Sequence, residues 1–67
     1  LSMQELYSAL RELPEIQLKR VIAYYFHNMT MAEIADVEGV SINVVSKTID
    51  RALKNLEKIL KKGLKNC

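Results

Sequence analysis

The sequence predicts an all-α fold: a compact four-helix domain over residues 1–67 with a C-terminal helix-turn-helix. Three observations carry this reading. Apolar residues recur at helical spacing along nearly the whole chain, and no segment alternates apolar and polar over a useful length. The single proline, Pro14, and the first glycine, Gly39, fall between such periodic runs. Ser2 with Glu5, and Thr30 with Glu33, have the spacing of capping boxes that open helices.

The first helix is expected over residues 3–13, with Met3, Leu6, Tyr7, Leu10 and Leu13 on one face. Pro14 cannot continue it, because proline lacks an N–H and clashes with the preceding turn, but it suits the first turn of the next helix. That second helix is expected over 14–28. Its wide apolar face of Ile16, Leu18, Val21, Ile22, Tyr25 and Phe26 would make it the most buried element. His27, near its end, is read as a partner of the helix dipole. The third helix is expected over 31–38 with Met31, Ile34, Ala35 and Val37 turned inward, and Gly39 ends it as a residue free to take positive φ. The fourth is expected over 41–62, capped by Ser41 and stopped by Gly63. At about 100° per residue, Val45, Ile49, Ala52, Leu53, Leu56, Ile59 and Leu60 gather on one side. Asn43, Val44, Lys47, Arg51, Lys54, Lys58, Lys61 and Lys62 lie opposite.

Composition narrows the function classes. A chain of 67 residues holds one small domain, whose core supplies only a few kcal/mol. At 49% apolar and 27% charged it has the makeup of a folded protein. One cysteine, Cys67, and one histidine, His27, cannot supply the four ligands of a structural zinc, so no metal and no cofactor is expected. A lone thiol suits a reducing, cytoplasmic setting. The longest apolar run, Val21 to Phe26, is far short of the ~20 residues that span a bilayer. Glu33, Asp36 and Glu38 are close in sequence, but a short surface helix gives carboxylates no pocket in which to acquire opposed pKa values. No enzyme and no small-molecule substrate is expected.

The net charge of +2 divides unevenly. Residues 1–40 hold three cations against six acids, giving −3, and residues 41–67 hold seven against two, giving +5. A basic end of this kind suits a phosphate backbone, an acidic protein, or solvent.

The helix-turn-helix reading rests on three spacings: the small Ala35 where two helices must approach, Gly39 four residues on for the turn, and Val45 six further as anchor. An ordinary helical hairpin meets the same demands. Three features favour double-stranded DNA. Ser41 stands at a helix start, where free N–H groups and a hydroxyl can dock a phosphate oxygen. Asn43 and Lys47 lie four apart on the outer face, in the turns of a recognition helix that enter the major groove. Both are residue types that read base edges, asparagine on adenine and lysine on guanine. Arg51 and Lys54 are expected on phosphates. Lys58, Lys61 and Lys62 lie beyond the first turns and are read as a solvated face.

The stretch from Leu13 to Leu60, "LPEIQLKRVIAYYFHNMTMAEIADVEGVSINVVSKTIDRALKNLEKIL", resembles region 4 of bacterial sigma factors of the sigma-70 family. The likeness lies in the Leu-Pro opening, the Tyr-Phe pair, the Thr-x-x-Glu-Ile-Ala start, Gly followed by Val-Ser, and the Arg-Ala-Leu run. It implies recognition of the minus-35 promoter element through the last helix and docking on the flap of the RNA polymerase β subunit. Position by position, it implies that Ile42, Asn43, Ser46 and Lys47 form the base- and backbone-facing part of the recognition helix, with phosphate contacts at Ser41, Arg51 and, near the backbone, Thr30. With the spacing argument, Asn43 and Lys47 are expected to read bases first, with Ile42, Val44 and Ser46 behind them.

The chain departs from the family pattern at Glu38, where an apolar residue is usual. Val37 is expected to carry that packing while Glu38 points to water. Ile42, Val44 and Ser46 stand where many members have arginines or other polar residues. Nothing in the sequence matches sigma region 2, which implies either a C-terminal fragment or a stand-alone sigma-like regulator. The alternatives are a LuxR-type or other helix-turn-helix regulator, and a helical protein-interaction module that does not bind DNA.

Overall fold

The computed structural model describes residues 2–65. Ser2 opens α1 (Met3–Arg11), its hydroxyl oxygen accepting from the Glu5 amide at 3.1 Å. The same hydroxyl donates to the Glu5 carboxylate at 3.1 Å, so the carboxylate is held by the side chain. The helix stops short of the expected residue 13. Ahead of Pro14, the amides of Glu12 and Leu13 turn to carbonyls three residues back and tighten the last turn. Ala9, Leu10 and Leu13 are buried, whereas Met3 and Tyr7 of the expected inner face are exposed.

The expected helix over 14–28 divides. It begins as α2 (Glu15–Val21) after Pro14 and continues as a π-helical turn over Ile22–Phe26. There the His27 amide reaches the Ile22 carbonyl five residues back at 3.1 Å, and the Met29 amide reaches Ala23 at 3.1 Å. Asn28, at φ 55, takes the left-handed conformation that asparagine tolerates and reverses the chain. A π turn holds more residues than an α turn and so advances the register of the residues after it. Tyr25 and Phe26 end up exposed, Phe26 meeting Tyr7 edge-on at 6.5 Å. Ile16 is also exposed, so this segment is not the most buried element; Val21 and, against expectation, Arg20 are its buried residues.

α3 (Met31–Glu38) starts with a complete capping box. The Thr30 hydroxyl oxygen accepts from the Glu33 amide at 3.0 Å, and the Glu33 carboxylate accepts from the Thr30 amide at 2.9 Å. Gly39 ends the helix at φ 69, with its amide on the Asp36 carbonyl at 3.3 Å and the Val40 amide on Ala35 at 3.0 Å. These are the two bonds of a Schellman closure, for which a left-handed residue is required. Ile34 and Ala35 are buried as expected, but Val37 is 77% exposed.

Ser41 caps α4 (Ile42–Lys65), its hydroxyl oxygen accepting from the Val44 amide at 3.2 Å. The helical backbone passes through Gly63, so that glycine is not the stop; within a helix it costs only about 1 kcal/mol relative to alanine. Cys67 lies outside the described residues. Leu53, expected on the inner face, is exposed.

The core consists of two clusters. Ala9, Leu10, Leu13 and Val21 pack against Ala52 and Leu56, joining α1 and α2 to the distal part of α4. Ile34 and Ala35 pack against Val45 and Ile49, joining α3 to the proximal part, with Tyr24, Met29, Met31 and Val40 around them. α4 belongs to both, and its Val45 and Ala52 have no exposed surface. Asn55 adds a polar tie to α2, donating to the Gln17 side chain at 2.8 Å. No helix among the described residues is long and apolar enough to cross a membrane.

Candidate nucleic-acid interface

Val45 and Ile49 are drawn into the pocket made by Ile34 and the small Ala35, which fixes the inner face of the first turns of α4. Helical geometry then turns Asn43 and Lys47 outward, one turn apart, and both are exposed. Ile42 and Val44 bracket that row on opposite flanks and are 52% and 43% exposed. Ser46 is exposed on the Ile42 flank, and Arg51 is exposed one turn beyond Lys47. The proximal turns of α4 therefore bring together all five base-reading candidates and Arg51.

The remaining candidates divide. The Ser41 and Thr30 hydroxyls accept the amides that cap α4 and α3, and the Ser41 O–H stays a donor among the described residues. The Lys54 ammonium lies 3.2 Å from the Asp50 carboxylate, so its charge is partly answered within the helix. Lys61 is paired with Glu57 at 2.8 Å in the same manner. No group of three or more His, Cys, Asp or Glu gathers closely enough among the described residues to hold a metal ion.

Behind this surface lies a polar cluster that the sequence reading missed. Arg20 donates through Nε to both Glu38 oxygens at 3.2 Å and through Nη2 to Oε1 at 2.9 Å. Its Nη1 donates to the Thr48 hydroxyl at 2.7 Å, and that hydroxyl donates to the Val44 carbonyl at 2.8 Å. One guanidinium thus links α2, the end of α3 and the first turns of α4. The Arg20 and Glu38 side chains are only 7% and 14% exposed. The expectation for Val37 and Glu38 is therefore reversed: Glu38 turns inward because Arg20 is there to receive it, and Val37 faces water. The signal in the sequence was a charge at a position where the family pattern has an apolar residue. Its partner was legible only once α2 had been placed.

Electrostatics follow from these contacts. Hydrogen bonds from Arg20 hold the Glu38 carboxyl below its ordinary value; the charges of Arg20 and Lys19 act in the same direction and burial opposes them. Glu33 is lowered by the Thr30 amide and hydroxyl in the capping box. Both acids remain ionised near neutrality, and only Glu38 has its charge spent on a buried cation.

A family model described as Sigma-70, region 4 matches residues 3–56. The chain belongs to the sigma-70 region 4 family. Comparison with curated proteins and with solved structures gives no match. Sigma-70 region 4 is a DNA-binding, non-catalytic family, and this member accordingly has a DNA-binding role in transcription. The matched residues contain the Thr30–Glu33 capping box, the Gly39 turn and every base-reading and phosphate candidate on α4. They end before Lys58, Lys61 and Lys62, the part of the region 4 chain already read as a solvated face.

Proposed function

We propose that this chain recognises a promoter element in double-stranded DNA through the turns of α4 that begin at Ser41. The observation that carries the proposal is the exposed Asn43–Lys47 row, set on a helix whose inner face is anchored by fully buried Val45 and Ile49. A row of base-edge readers on a rigid helix start has the form needed to enter a major groove. In this reading Ser41, Thr30 and Arg51 hold the phosphates, with Lys54 contributing to the extent that Asp50 releases it.

Docking on RNA polymerase, at the β flap, completes the proposal. What supports it is family membership together with an open depression of about 430 Å³ lined by Leu18, Ile22, Ala23 and His27, with Glu15 and Lys19 at its edge. This depression lies on α2 and its π turn, so it leaves the outer face of α4 available to DNA.

Selection of bound duplexes from a random pool tests the first half. One preferred site should emerge, with affinity that falls steeply as salt rises; absence of any enriched duplex at low salt would refute it. A pull-down with the isolated polymerase flap tests the second. Capture should weaken when Ala23 is replaced by a bulkier residue, and no capture by the parent chain would remove the docking claim.

A further inference from the structure

Apart from Leu53, the exposed large hydrophobic residues of α4 lie at its start. There, two branched hydrocarbon side chains, Ile42 and Val44, stand in water on either side of Asn43, at 52% and 43% exposure. Neither is needed by the core. The second cluster is built from Ile34, Ala35, Val45 and Ile49, and the half-buried residues packed on it do not include Ile42 or Val44. Both side chains are β-branched and lose little freedom on contact, because χ1 is already confined in a helix. The turn that bears Val44 is also held: its carbonyl accepts from Thr48, whose hydroxyl is in turn gripped by buried Arg20.

Such side chains recognise hydrocarbon and reject unpaired polar groups. In the major groove thymine alone presents a methyl group, at C5, while cytosine presents an N4 amino donor that an apolar neighbour would strand. Asn43, between the two, has the amide geometry to bind adenine N6 and N7. Charge contributes little discrimination here. Lys47 is the single cation among the five base-reading candidates, and exposed Asp50 follows it one turn later, paired with Lys54.

We infer that Ile42 and Val44 read thymine C5 methyl groups, so that the duplex this chain prefers is specified by thymines flanking the base pair contacted by Asn43. The inference rests on the DNA-binding reading above and adds the chemistry of the target.

The test replaces thymine by deoxyuridine, which removes only the methyl group, one position at a time in the duplex selected from a random pool. Binding of the 67-residue chain is followed by fluorescence anisotropy. At one or two thymines the affinity should fall about fourfold, the transfer value of one hydrocarbon carbon. That loss should vanish in Val44→Ala or Ile42→Ala, exposed positions where alanine favours the helix. Unchanged affinity for every uracil duplex would overturn the inference while leaving DNA binding intact, as would a loss that persists undiminished in both variants. A pool that yields no bound duplex would overturn the DNA-binding reading and this inference together.

Discussion

Arg20 and Glu38, eighteen positions apart, face each other across the junction of α2 and α3, with the guanidinium bound to both carboxylate oxygens. The pair stands where two helices meet a third, so its removal is felt in all of them. Arg20→Met should destabilise the domain by about 3 kcal/mol, because it strands a largely buried carboxylate. Arg20→Met with Glu38→Leu should return to within about 1 kcal/mol of the parent, since an apolar pair needs no counter-charge. Urea denaturation followed by circular dichroism measures both.

Acid should loosen the same junction. The folded-state pKa of Glu38 lies below that of the unfolded chain, so its contribution is fully present above the ordinary carboxylate range and is lost as pH falls through the depressed value. Glu33 and Glu57, lowered by their bonds to Thr30 and Lys61, act in the same direction. The urea midpoint should therefore hold steady from neutrality down to about pH 5 and decline below it, with a shallower decline in Glu38→Gln.

Gly39 isolates a backbone effect. A Cβ built there meets nothing within 4 Å, yet φ is 69. Gly39→Ala should cost about 1 kcal/mol through left-handed strain alone, and Gly39→Asn less, as asparagine enters that region more readily. Parallel denaturation of the two variants checks the order.

The α4 surface should separate base readers from backbone contacts. Asn43→Ala and Lys47→Ala should each cost about 1 to 3 kcal/mol on the selected duplex and relax preference at one base position. Arg51→Ala should weaken all duplexes alike and reduce the slope of affinity against salt by about one. Anisotropy titrations over a salt series distinguish these patterns.

Much of the architecture was legible because local signals agreed. The Thr30 and Glu33 capping box, Gly39 and the Ala35–Val45 contact all fall between residues 30 and 45, a stretch short enough for spacing to dictate geometry. The second helix misled for the opposite reason. Its apolar residues cover too much of the circumference to name an inner face, and the π turn over Ile22–Phe26 has no marker in composition. The Arg20 cluster depends on contacts between residues 18 and 28 positions apart, beyond the reach of any periodicity. The exposed row on α4 was found because its opposite face is cleanly apolar. Whether Lys54 is free was not legible, since that depends on which rotamer Asp50 meets.

The two apolar clusters share one helix and otherwise draw on separate parts of the chain, apart from the polar bridge at Arg20. α4 is therefore a common spine carrying two small leaves, and the opening of one need not open the other. Amide exchange along this single helix should show a step between the turn of Ile49 and that of Ala52, although the backbone ladder is unbroken there. Drift in α1 can then change how firmly the distal half is held without retuning the half that carries Asn43 and Lys47, which leaves stability and specificity free to evolve at different rates.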